Sequence, residues 1–183
     1  MSQHRHRHDP SKTLVGFIVG GVHYAVAIAG VREICNPKAL VSLPHAPPSV
    51  IGVTDYRGNV IPVIDLRMRF GLPPVEQSRR IKWIVVDVGG SLASLVVDQT
   101  RGVFGTAGVP HRPAPPLGAG DDMRGIEGVA TYDDELVFVL DLRSFAEVTS
   151  RLALPASVVP PAALPGRPSL LPRAHGPSRD KAS

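Results

Sequence analysis

Few residues in this chain are spaced for chemistry. His4, His6 and His8 alternate with arginine and aspartate in the opening MSQHRHRHDP. Removal of Met1 would leave a free amine on Ser2 with His4 third in line. That set of nitrogens can wrap Cu(II) or Ni(II) in a square plane, with His6 nearby. The competing reading of the same residues is a solvated basic tail. Acidic groups stand together at Asp121-Asp122 and Asp133-Asp134-Glu135. Adjacent residues on a turn do not readily converge on one ion, so solvated turns are expected there. His23, His45 and His111 have no spacing that links them to a serine or cysteine nucleophile. The chain contains no G-x-x-x-x-G-K-[ST] phosphate loop, no G-x-G-x-x-G and no G-x-S-x-G elbow. Cys35 is the only cysteine, which excludes an intrachain disulfide and a cysteine metal site. It is expected to be an inert buried thiol. These residues give no reason to expect an enzyme or a cofactor. The position that asks for an explanation is Arg57, a charge on the glycine turn of GVTDYRGNVIPVIDLR, residues 52–67.

The elements around that turn read as strands. The chain has 183 residues, 43% of them apolar and only 5% aromatic. Runs rich in valine and isoleucine at short spacing favour an all-β barrel or sandwich. Residues 13–31 carry no formal charge and follow HRHRH, which is the outline of a signal peptide or a membrane span. Gly20-Gly21 in the middle instead predicts a hairpin turn. A repeat supports the hairpin. An offset of 69 places Gly20-Gly21 on Gly89-Gly90, where Lys82, Asp87 and Asp98 interrupt the apolar run.

The arginine turn repeats as well. An offset of 76 lays GVTDYRGNVIPVIDLR over GVATYDDELVFVLDLR, residues 128–143, without a gap. The difference of seven between the offsets is what a longer connection in the second half would produce, and loops absorb such length cheaply. The body therefore divides into related halves, about 13–78 and 79–150. Each holds a Gly-Gly hairpin, a variable connection, and a second hairpin ending in Asp-Leu-Arg. Two small barrels on a shared core would solve a size problem, because about 65 residues alone bury too little surface. Pro62 lacks an N–H, so its strand needs an edge or a bulge there. Short helices are predicted over 66–70 and 142–148, with Asp65 and Asp141 as N-caps and Gly71 as a C-cap. A loop is predicted over 110–116. Residues 151–183 contain seven prolines and no apolar period, the signature of a disordered tail.

Charge follows the same division. Residues 1–12 carry a net +2 and residues 151–183 a net +4, which leaves −2 on the body. The pI of 9.6 thus belongs to two tails, and nucleic-acid binding, which needs a basic face on the fold, is not expected.

Several stretches together resemble the CheW family of chemotaxis coupling proteins. They are VREI at 31–34, VIGVTDYRGNVIPVIDLRMRFGL at 50–72, SLVVDQTRGVF at 94–104 and HRPAP at 111–115. The resemblance runs from about Leu14 to Val148. The same domain also ends the CheA histidine kinases, but 183 residues leave no room for a kinase domain, so a free-standing adaptor is expected. The resemblance implies two five-stranded β-barrels on a shared core and no catalysis. It implies a cytoplasmic protein recruited to membrane receptor arrays without inserting into the membrane. Its partners would be the regulatory domain of a CheA-type histidine kinase and the cytoplasmic tip of a methyl-accepting chemoreceptor. Carried over residue by residue, Glu33 and Arg57, with Gly58, match partner-contacting positions, and Val31 matches an apolar position on the kinase-binding surface. Gly52, Val53 and Val97 fall near the groove expected to take the receptor helix. Gln99 stands where the pattern leads one to expect glycine. Read as plain surface, Glu33 would be a solvated helix charge and Arg57 a solubilising turn residue. Arg57 has no reason within the barrel, which points to a partner. The competing function is a small-molecule or metal-binding β-barrel sensor.

Overall fold

The structure is a computed structural model that describes residues 13–74, 78–105, 112–113, 125–150 and 152. His4, His6, Asp121-Asp122, His111 and the Pro-rich tail after Leu152 lie outside the described residues. So does most of the loop expected over 110–116.

Among the described residues, eleven strands form two mixed sheets. In chain order they are β1 (Thr13–Val19), β2 (Val22–Ala27), β3 (Val31–Cys35), β4 (Val50–Tyr56), β5 (Asn59–Asp65), β6 (Lys82–Asp87), β7 (Leu92–Val97), β8 (Gln99–Gly105), β9 (Arg112–Pro113), β10 (Ile126–Tyr132) and β11 (Glu135–Leu140). One sheet runs β8-β1-β2-β11-β10-β9 and the other β3-β6-β7-β5-β4. The sequence offset is visible residue for residue, since β4 and β10 lie 76 apart at both ends. Each sheet therefore has five strands built to one plan, and the two-residue β9 adds a sixth to the first.

The sheets do not follow the two halves of the sequence. The β1–β2 hairpin, from the first half, pairs with β8 and β11 of the second. The β6–β7 hairpin, from the second half, pairs with β3 and β5 of the first. The halves have exchanged their Gly-Gly hairpins. This exchange explains the uncharged run near the N-terminus. A hairpin at the centre of its sheet faces the shared core on one side and its own sheet's interior on the other. Val15, Phe17 and Val19 of β1 pack into the large core with Ile84, Val86, Leu95, Leu140 and Phe145. Leu14 turns the other way, to Ala25, Phe104, Val137 and Val139. Strands buried on both faces read as continuous apolar runs rather than alternating ones. No helix among the described residues is long and apolar enough to cross a membrane.

The turns are those the sequence predicts. Gly20 and Gly21 have φ +61° and +81°, the pattern of a two-residue type I′ hairpin. Asp65 caps α1 (Leu66–Arg69), its Oδ1 accepting from the N–H groups of Arg67 and Met68 at 2.7 and 3.2 Å. Gly71 follows at φ +69°, and the N–H of Leu72 returns to the Arg67 carbonyl at 2.8 Å. Asp141 caps the matching segment, whose first turn, Leu142–Phe145, is 3-10 before α2 (Ala146–Ser150).

Pro62 sits opposite Val53 of β4. Val53 spends both its N–H and its C=O on Val41, at 2.8 and 2.9 Å, so its backbone points away from Pro62. The pair is a non-hydrogen-bonded one, and Pro62 withholds no donor from β4. On its other side β5 pairs with β7 only from Val63 onward. Pro62 thus stands at an open edge, as its missing donor requires.

Asp98 ties the sheets at the point where the chain crosses from β7 to β8. Its Oδ2 accepts from the Gly20 N–H at 2.8 Å and from the Arg67 guanidinium at 2.5 Å. Arg67 in turn donates from Nε to the Pro73 carbonyl at 2.8 Å. One carboxylate so joins the β1–β2 turn of one sheet to the helix that ends β5 of the other. Both partners of the ion pair are mostly buried, with side chains 16% and 21% exposed. Asp98→Ala should lower stability by about 1.5–3 kcal/mol, since it removes charge-assisted bonds and leaves Arg67 unpaired. Denaturant unfolding checks this; a loss below about 0.5 kcal/mol would show that the clamp does not hold the sheets.

Candidate functional site

The candidate site is the tip of the β4–β5 hairpin and the edge strand beside it. Tyr56 pairs with Asn59, which leaves Arg57 and Gly58 as a two-residue loop. Their φ angles are +53° and +81°, so the loop is type I′ and both central residues are left-handed. Glycine accepts that region freely; a residue with a Cβ gives up about 1–2 kcal/mol there. The equivalent turn has Asp133 and Asp134 at +49° and +61°. Aspartate tolerates this conformation through its short polar side chain, and arginine has no such device.

Arg57 is held by contacts the sequence does not announce. Its Nη2 donates to Glu33 Oε2 at 3.0 Å, across to the edge strand β3. Its guanidinium lies 5.2 Å from the centroid of the Tyr56 ring, and Lys38 Nζ lies 5.5 Å from the same centroid. Tyr56 is itself buried, packed with Ile61 and Val85 inside the second sheet. A buried aromatic platform therefore fixes two cations at the surface, each contact contributing roughly 0.5–1 kcal/mol. The Gly58 N–H approaches Asp55 Oδ1 at 3.4 Å. Arg57 remains 72% exposed and Glu33 31% exposed, so the pair is solvated and contributes at most about 1 kcal/mol.

Glu33 is on a strand, not a helix, and β3 is an outer strand of its sheet. The register slips between Val31, opposite Val86, and Glu33, opposite Val85. This bulge inserts Arg32, which turns to Asp87 at 2.7 Å. Val31 is half-buried against the shared core. Ile34, which sequence reasoning did not single out, is 41% exposed on the same edge. Its signal is a reversed alternation, with the apolar side chain outward and Glu33 and Cys35 half-buried. Burial pushes the Cys35 thiol up, with Glu33 adding to the rise and Lys38 opposing it. A raised thiol holds less thiolate at neutral pH and is correspondingly unreactive.

Gly52 and Val53 are placed together, under a strap. Residues 38–41 cross β4, where the Thr54 hydroxyl donates to the Ala39 carbonyl at 2.8 Å and Val41 bonds Val53. A Cβ on Gly52 would lie 2.5 Å from the Val41 carbonyl oxygen, so the strap closes only over glycine. Beside the strap is a cavity of about 180 Å³ lined by Lys38, Val41, Val53, Thr54 and Val60. Leu40 and Val41 of the strap are exposed apolar residues. Val97 is elsewhere. It is fully enclosed in the shared core and presents no accessible side chain. Gln99, at the start of β8, is half-buried opposite Ile18. The structure therefore brings Glu33, Arg57 and Gly58 together at the surface, keeps Gly52 and Val53 beneath the strap, and separates Val97 from both.

The site offers charges, an open strand edge and an apolar recess. Those are the features of an interaction surface on a scaffold of two related sheets. Residues 13–149 match the CheW-like domain, and the chain belongs to that family. It is 28% identical over 143 residues to a probable chemotaxis protein CheW of Rhizobium etli, covering 78% of this chain and 92% of the relative. Identity with chemotaxis protein CheW of Helicobacter pylori is 31% over 126 residues, 69% of this chain and 76% of the other. The crystal structure of the scaffolding protein TtCheW from Thermoanaerobacter tengcongensis superposes with a TM-score of 0.63 at 29% identity, over 70% of this chain and 88% of that one. The protein is a CheW-type adaptor of chemotaxis and not an enzyme.

The hairpin does not need the arginine. Arg57→Asn should leave stability within about 1 kcal/mol of the parent, because relief of the left-handed strain offsets the lost ion pair and the lost contact with the Tyr56 ring. A loss above about 2 kcal/mol in denaturant unfolding would make Arg57 a structural residue instead.

Proposed function

We propose that this protein acts in the cytoplasm as the link between the cytoplasmic tip of a methyl-accepting chemoreceptor and the regulatory domain of a CheA-type histidine kinase. Membership of the CheW family supports those partners. The observation that carries the site is Arg57: a cation kept in a left-handed conformation at an exposed tip, paired to Glu33 and backed by Tyr56. Strain of that kind with no net gain in stability suits a residue retained for contact.

In this reading Val31, Glu33, Arg57 and Gly58 form one contact surface with Ile34 beside them. An apolar edge with an ion pair on its rim gives a partner both area and orientation. The apolar part supplies affinity, and the rim charges set register and association rate. The recess by Gly52 and Val53 is the candidate seat for an amphipathic receptor helix, a common way for helices to bind a groove. Val97 lies in the shared core and is not among the residues that line the recess.

Arg57→Asp reverses the rim charge and sets two acids against each other with Glu33. It should reduce recovery of the kinase or the receptor at least tenfold in a pull-down from native cytoplasm, while circular dichroism stays that of the parent. Undiminished recovery of both partners would remove Arg57 from the contact surface.

A further inference from the structure

The ladder between β5 and β7 stops early. They pair in parallel at Val63–Ser94, Ile64–Leu95 and Asp65–Val96 and then diverge. Between the diverging ends lies a cleft of about 460 Å³, walled by Asn59–Pro62 on one side and Gly90–Leu92 on the other. Alternation along the β4–β5 register aims the backbone of Val60 and Pro62 away from β4 and into this cleft. Val60 is so left with an N–H and a carbonyl without ladder partners, whereas the Pro62 carbonyl faces the Ser94 N–H where the β5–β7 ladder begins. Open ladder positions of this kind are a template for another strand.

The chain itself arrives at this cleft. Thr149 and Leu152 form part of its wall, and Leu152 also packs against the shared core. From Leu152 the sequence continues ALPASVVPPAALPG, fourteen residues without a charge, and the side chains lining the cleft carry none either. Ala156-Ser157-Val158-Val159 is a proline-free stretch between Pro155 and Pro160. It can offer a carbonyl and an N–H to the two groups that Val60 leaves open. Four residues from Leu152 to Ala156 reach about 13 Å, enough to enter the cleft.

We propose that residues 153–161 are a ligand of their own domain, adding a short strand to β5 at Val60. The cleft ends at Asn59, next to the Arg57 tip, so the tail covers the flank of the contact surface and a partner that uses this flank must displace it. The displacement, though not the covering strand, rests on the functional reading above.

Amide exchange on the full-length protein tests the strand. In the parent, the Val60 N–H should exchange at least tenfold more slowly than in Val158→Asp/Val159→Asp, where two charges would have to enter an uncharged cleft. The amides of the shared core should be unaffected. Equal Val60 exchange in the two proteins would overturn the proposal. Binding of a CheA-type regulatory domain is measured on the same pair of proteins. Tighter binding to the variant supports displacement. Unchanged binding alongside faster Val60 exchange keeps the strand and overturns the displacement alone.

Discussion

The exchange of Gly-Gly hairpins between the two halves is the constraint on which the rest of the structure depends. Each half completes its sheet only with two strands from the other, so neither sheet is made from one contiguous half of the chain. The exchanged strands lie at the sheet centres and are apolar on both faces. That demand fixes β1, β2, β6 and β7 as runs in which a charge could be placed only at a turn or a strand end. Asp98 stands at such a place, between β7 and β8, and its two bonds hold the sheets at the crossing.

With the interior fixed in this way, the outer hairpins are free to differ. The two copies keep the same arms, the same closing tyrosine and the same left-handed turn. One presents Arg57-Gly58 and the other Asp133-Asp134. A near-symmetric scaffold thereby shows a cation at one hairpin tip and two anions at the other. The surroundings are equally unequal. Arg57 meets Glu33 on a strand edge, whereas Glu135, beside the acidic turn, is taken up by His23 at 2.8 Å and Arg101 at 3.0 Å. A similar asymmetry separates Arg67, clamped to Asp98 at the crossing between the sheets, from its counterpart Arg143, which pairs with its own cap, Asp141.

Local rules made much of this legible in the sequence. Gly20-Gly21 and Gly89-Gly90 announce hairpins through their backbone freedom, Asp65 and Asp141 announce helix starts, and the offsets of 69 and 76 give the strand plan. The exchange itself left no local trace, because pairing of β2 with β11 joins residues more than a hundred positions apart and either pairing satisfies the same apolar pattern. Glu33 looked like a helix charge because a bulged edge strand breaks the simple alternation. Arg57 appeared to lack any reason within the fold because its partners, Glu33 and the Tyr56 face, come together only through tertiary structure. Its positive φ follows from the type I′ turn, which asks a left-handed conformation of both central residues. Val97 was placed near a groove on resemblance, and its burial follows from the two-sided packing of β7.

On the proposed function, the charges of Glu33 and Arg57 serve a partner rather than each other. The most direct measurement is a charge exchange, Glu33→Arg with Arg57→Glu, compared with each single change for stability and for binding of a CheA-type regulatory domain and a chemoreceptor tip. The account predicts that the double variant regains the ion pair and parental stability yet binds one of the two partners at least tenfold more weakly. Parental binding of both partners by the double variant would contradict it, and would show that the pair matters only for holding the tip.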